Sequence, residues 1–166
     1  NVKYIGPLSR LCKKPVPIIY DLMVLLSGPE PQRTILEEKI ISELENYSKK
    51  VVFIKGVVQK EQIKEQIDNI TFYNFMNSNE LEDAFNKSNF ILCRSGYTTV
   101  MDLAKLNKKA FFIPTPGQFE QEYLAEKFQK ENIASYCEQD DFTISELKEL
   151  ESFKGFSNYT EKITWK

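Results

Sequence analysis

The chain has no histidine. That removes the commonest general base near neutral pH and the commonest zinc ligand, so any catalysis must use carboxylates or a base from elsewhere. Its three cysteines, Cys12, Cys93 and Cys137, are odd in number and widely scattered. They fit neither a zinc ligand set nor a disulfide framework, and reduced, buried thiols of a cytoplasmic protein are the expectation. No apolar run is long enough to cross a bilayer: the most apolar stretch, VPIIYDLMVLL, is short and carries Asp21. An excess of one charge is missing too. Lys and Arg total 22 against 24 Asp and Glu, a formal net charge of −2, so no basic field argues for nucleic acid. The chain starts at Asn1 rather than a methionine, and a piece of a longer protein is expected.

Several phosphate-binding motifs are absent as well. SGPEPQR after the first apolar run is not a G-x-G-x-x-G turn, and no P-loop occurs. A phospho-acceptor site needs clustered acids at early strand ends, and Asp21 stands alone. What is present is core: 42% hydrophobic and 13% aromatic residues over 166 positions support one domain, not a disordered chain.

The opening YIGPLSRLCKKPVP, rich in proline and glycine, reads as a crossing segment over residues 1–17. Residues 18–155 form the expected domain, and 156–166 a weakly patterned tail. YDLMVLLS, KVVFIKG, NITFYNF, NFILC, KAFFIP and IASYC read as strands. QRTILEEKIISELENY, NELEDAFNKS, YTTVMDLAKLN and FEQEYLAEKFQKEN read as helices. QKEQIKEQI reads as a polar turn or short helix, Asn77-Ser78 as an N-cap, and TISELKELESF as a last helix capped by Thr143. Lys105, Lys108 and Lys109 suit a helix C-terminus. The alternation predicts an α/β, Rossmann-like, three-layer α/β/α domain with a mostly parallel sheet.

In such sheets ligands lie beyond the carboxyl ends of the strands. Three of those ends carry unusual residues: Ser27-Gly28-Pro29-Glu30, Arg94-Ser95-Gly96, and Pro114 to Gln121. Gly96 lets a ligand approach the backbone, and the amides of Tyr97, Thr98 and Thr99 then face outward at the positive end of a helix. Arg94, Ser95 and Thr99 can add donors. Asp102, one to two turns in, can accept from a vicinal diol such as a ribose, so the stretch suits a nucleotide. It equally reads as an ordinary turn with Thr98 and Asp102 a solvated i,i+4 pair. Gln118, Glu120 and Gln121 suit hydroxyl-rich ligands.

CRSGYTTVMDL followed by AFFIPTPGQFEQEYLAEKF resembles the C-terminal, donor-binding domain of the two-domain inverting glycosyltransferases of family 28, the peptidoglycan N-acetylglucosaminyltransferase-like enzymes of GT-B fold. The resemblance runs from YIGPLSR to about Ala134. It implies a hexosyltransferase-type glycosyltransferase whose donor is a UDP-sugar, with UDP-N-acetylglucosamine one candidate and the sugar left open. Arg94, Ser95, Gly96 and Thr99 would hold the diphosphate, with Arg94 stabilising the leaving group; Asp102 would bind the ribose, where the family typically has Glu. Gln121, with Glu120 beside it, would bind sugar hydroxyls, and the backbone of Phe75 and Met76 would read the uracil. Ser27, Gly28 and Arg33 would supply donors where the family has a glycine-rich loop. No metal and no cofactor are implied. The acceptor site and catalytic base would lie in a missing N-terminal domain or partner subunit, with any membrane contact through that part alone. A non-catalytic nucleotide-binding subunit or regulatory module is the alternative.

Overall fold

In the computed structural model, residues 6–156 are described. Seven strands form one sheet: β1 (Tyr20–Leu25), β2 (Val51–Ile54), β3 (Lys64–Ile67), β4 (Ile70–Tyr73), β5 (Ser88–Cys93), β6 (Lys109–Phe112) and β7 (Ser135–Tyr136). Their order is β3-β4-β2-β1-β5-β6-β7. Every pairing is parallel except β3 with β4. Four α-helices pack on it: α1 (Gln32–Leu44), α2 (Ser78–Asn86), α3 (Tyr97–Leu106) and α4 (Phe119–Lys130). A 3₁₀ helix, Ile144–Ser152, closes the described chain.

Side-chain alternation along the strands separates two cores. Met23, Val52, Ile91, Cys93, Ala110 and Phe112 face α2, α3 and α4, whereas Leu22, Val24, Phe53, Leu92 and Phe111 face α1 and the 3₁₀ helix. Strands buried on both faces read as continuous apolar runs, as FILC and AFFI do. The aromatic contacts are tilted or edge-on, as in Phe111–Phe142 and Phe128–Phe156, and each such ring contributes roughly 1.5–3 kcal/mol by burial. The expected α/β/α architecture is the observed one.

Three local expectations are corrected. QKEQIKEQI contributes a strand, not a turn or helix: the chain leaves the top of β2 and descends as β3, an exposed edge paired to β4. Its residues are polar because one of its sides has no strand neighbour, and charges keep such an edge from pairing with other chains. TISELKELESF is a 3₁₀ rather than an α-helix, and Thr143 gives no side-chain cap bond; Glu43 of α1 accepts from the Ile144 amide instead at 2.7 Å. Of the cysteines only Cys93 is buried; Cys12 is exposed and Cys137 half-buried. Burial raises the thiol of Cys93, and pushes that of Cys137 up to about 12. Asn77 does cap α2, accepting from the amides of Asn79 and Glu80 at 3.0 Å each. The expected tail lies outside the described residues except for Phe156, which is buried against Phe112 and Phe128.

Candidate functional site

Because β1, β5 and β6 are parallel neighbours, their carboxyl ends emerge on one edge. The three loops that leave that edge touch one another. A Cβ built on Gly28, whose φ is +108°, would sit 3.5 Å from Thr115 Oγ1. Ser95 Oγ donates to the Gln121 carbonyl at 2.7 Å. Gln121 Oε1 accepts from the Thr115 amide at 2.8 Å, and Gln121 Nε2 donates to Gln118 Oε1 at 2.6 Å.

The helix N-termini differ in whether the chain satisfies them. At α1, Glu30 accepts from the amide and hydroxyl of Thr34 (3.2 and 2.7 Å), and the Arg33 amide donates to the Pro29 carbonyl. At α2 a full capping box is present. At α3 the N-cap is Gly96, no side chain caps the helix, and the first intrahelical bond runs from the Val100 amide to the Gly96 carbonyl at 3.0 Å. The amides of Tyr97, Thr98 and Thr99 precede that bond, so the positive end of the α3 dipole is open to the loop cluster. Tyr97 and Thr98 are exposed and Thr99 half-buried.

Arg94 requires correction. Its side chain is 1% exposed and points away from the α3 N-terminus. Nη1 donates to the carbonyls of Ile113 and Pro114 at 3.1 and 3.0 Å, and Nη2 to the Gln32 carbonyl and Gln139 Oε1 at 3.0 and 2.7 Å. Gln139 Nε2 in turn donates to Gln32 Oε1 at 2.8 Å. The physical reason is strand parity: position 94 falls on the face of Leu92, towards α1. Burial lowers the guanidinium to about 10, which leaves it charged at neutral pH. It ties the end of β6 to the start of α1 rather than reaching a leaving group. Two buried polar atoms there have no hydrogen-bond partner, Arg94 Nε and Thr115 Oγ1.

Other candidates are partly committed elsewhere. The Phe75 amide donates to Asn74 Oδ1 at 3.0 Å and its carbonyl accepts from Gln62 Nε2 at 2.9 Å, so both its backbone groups already have partners; Met76, half-buried, follows. The Ser95 hydroxyl and both ends of the Gln121 amide build the loops, as described above. Arg33 is held by Glu30, Glu37 and the Lys55 carbonyl. Ser27, Gly28 and Glu120 are exposed and Gln118 half-buried. Asp102 is half-buried on α3, beside the crossing segment. Burial raises its carboxyl above the usual range, partly offset by the Ser9 hydroxyl and the Arg10 charge. Ser9 is the residue that sequence reasoning missed: SR in YIGPLSR carries no spacing signal that connects it with a residue 93 positions later.

Residues 31–152 match the family model described as the glycosyltransferase family 28 C-terminal domain. The chain belongs to that family. The match extends past Ala134 through the 3₁₀ helix, and begins after the crossing segment. The chain is 26% identical over 150 residues to the UDP-N-acetylglucosamine--N-acetylmuramyl-(pentapeptide) pyrophosphoryl-undecaprenol N-acetylglucosamine transferase of Haemophilus ducreyi, covering 86% of this chain and 41% of that protein. It therefore spans about two fifths of the length of the curated relative it matches. Among solved structures it is similar to Acinetobacter baumannii MurG (TM-score 0.58, 17% identity, 87% of this chain and 45% of that one). It is also similar to the glycosyltransferase VinC in complex with dTDP (TM-score 0.61, 19% identity, 87% and 37%). The solution structure of ALG13 is similar in fold too (TM-score 0.53, 15% identity), the match covering 84% of this chain and 90% of that one. No helix among the described residues is long and apolar enough to cross a membrane.

Proposed function

We propose that this family 28 domain is the donor-binding half of an inverting glycosyltransferase that takes its sugar from a UDP-sugar. The observation that carries the reading is the open N-terminus of α3, uncapped at Gly96 and set among the loops of β1 and β6. Amides aimed at a diphosphate stabilise the negative charge that grows as the glycosidic bond to the leaving UDP breaks. In this account the α3 amides and the Thr99 hydroxyl do that work, with Arg94 holding the scaffold beneath them. Asp102 accepts from the ribose hydroxyls, and Gln118 and Glu120 face the sugar. The relative from H. ducreyi uses UDP-N-acetylglucosamine by name, which supports that donor class. The acceptor and the catalytic base belong to an N-terminal domain or a separate subunit, at which any membrane contact would also occur. The second reading, a nucleotide-binding subunit that does not catalyse alone, is favoured by the ALG13 chain, which is nearly covered by this fold. No group of three His, Cys, Asp or Glu among the described residues could hold a metal ion, and metal-free donor binding is part of the proposal.

Calorimetric titration with UDP, UDP-N-acetylglucosamine, NAD and ATP tests it. UDP and its sugar are expected to bind, with no turnover of added acceptor by the chain alone. Tighter binding of NAD than of UDP would overturn the reading.

A further inference from the structure

The segment leading into β1 is fastened to the domain at several points. Leu11 is buried in the core shared with α2, α3 and α4. The Cys12 amide donates to the Glu82 carboxylate at 2.7 Å, and Lys14 Nζ lies 2.5 Å from the same side chain. The Lys14 amide donates to Asn86 Oδ1, and Asn86 Nδ2 donates back to the Cys12 carbonyl, both at 2.9 Å. Residues 11–14 are thus strapped along α2.

Just upstream the strap reaches α3. The Leu11 amide donates to Ser9 Oγ at 3.0 Å, and Ser9 Oγ donates to Asp102 Oδ1 at 2.5 Å. A serine hydroxyl has one proton, and with an amide filling one lone pair that proton is directed onto the carboxylate. Successive bonds of this kind polarise one another. Asp102 is held by a single oxygen, on the side of the crossing segment.

We infer that Ser9 is a positioning residue for donor binding: by fixing Oδ1 of Asp102 it presents Oδ2 to the ribose diol and makes the crossing segment a working part of the donor site. This rests on the reading of Asp102 as the ribose acceptor. A carboxylate fixed beforehand loses less freedom when the ligand arrives, so affinity rises without a new ligand contact. The segment and the donor share one side chain, so their binding is linked. A docked segment tightens ribose binding, and a bound ribose holds the segment down, by the same factor.

Uridine is the probe, because it carries the ribose without the phosphates that α3 would hold. Calorimetry compares the wild type with Ser9→Ala, Ser9→Thr, Asp102→Asn and the Ser9→Ala/Asp102→Asn double variant, with melting curves to check that each is folded. Ser9→Ala is expected to weaken uridine about three- to tenfold, less than Asp102→Asn does. Ser9→Thr, which keeps the hydroxyl, should restore affinity to within about twofold of wild type. In the Asp102→Asn background, Ser9→Ala should add less than about a twofold loss. If Ser9→Ala does not fold, Ser9→Cys, a weak donor of similar size, takes its place with the same expected loss. Wild-type affinity in Ser9→Ala, an equal loss in both backgrounds, or no rescue by threonine would each overturn the role of Ser9 while leaving the ribose reading intact. Wild-type uridine binding by Asp102→Asn would instead overturn the ribose reading, and the role of Ser9 with it.

Discussion

On β5, Phe90 and Leu92 pack towards α1, while Ile91 and Cys93 face α2, α3 and α4; Arg94, just past the strand, continues on the side of Leu92 and donates to the Gln32 carbonyl. That parity decides what Arg94 does, and it was readable from the sequence: a side chain two positions after a core leucine continues into the same layer. The arginine-glycine turn invites a phosphate reading because the motif resembles a loop, whereas position 94 keeps the alternation of β5. Arg94→Met would leave Gln139 Oε1 and the carbonyls of Ile113 and Pro114 without their guanidinium donors. Each unmet buried group costs about 1–3 kcal/mol before relaxation, so a loss of about 2–4 kcal/mol is expected in urea unfolding. Arg94→Lys should recover little of it, since one ammonium cannot span four acceptors. In whatever fraction stays folded, uridine and UDP should weaken alike. A selective loss of UDP over uridine would instead return Arg94 to the diphosphate.

Among the elements, the strand-turn-helix from β5 to α3 separates architecture from ligand. Gly96 has φ −70° and ψ 144°, a conformation open to any residue, and a Cβ there would meet nothing within 4 Å. Neither the turn nor the packing therefore asks for glycine at 96, in contrast to Gly28 with its positive φ. Close approach of a ligand to the α3 amides is the remaining reason. Gly96→Ala should leave the free energy of unfolding nearly unchanged, within about 0.5 kcal/mol, yet weaken UDP about tenfold or more and uridine far less. Equal binding of UDP by wild type and Gly96→Ala would remove the α3 N-terminus from the site. The elements that the sequence did not disclose are those whose apolar pattern does not settle their type. β3, Lys64–Ile67, is mostly polar because it is an edge, and Ile144, Leu147 and Leu150 of the 3₁₀ helix recur at a spacing that also suits an α-helix. The Asn77 cap, by contrast, was legible, because Asn-x-x-Glu states its own hydrogen bonds.

At the scale of the whole molecule, the layers and the shared loop edge follow from alternation of apolar strands with amphipathic helices, and so were readable before the structure. The contacts inside that edge were not: Ser9 to Asp102, Ser95 to the Gln121 carbonyl and Gln139 to Gln32 join positions far apart in sequence. Those contacts knit α1, α3, α4 and the crossing segment around one edge, so a ligand held there should stabilise the domain as a unit. At a UDP concentration a hundredfold above its Kd, mass action adds about 2.7 kcal/mol. For a domain of this size each kcal/mol raises Tm by about 2–4 °C, giving an expected rise of about 5–11 °C by differential scanning fluorimetry. The shift should be the same in EDTA as in magnesium, because helix amides, not a cation, hold the diphosphate in this account. NAD at equal concentration should give less. A rise that disappears in EDTA and returns with magnesium would mean that a metal ion carries the diphosphate, and the open end of α3 would lose its assigned work.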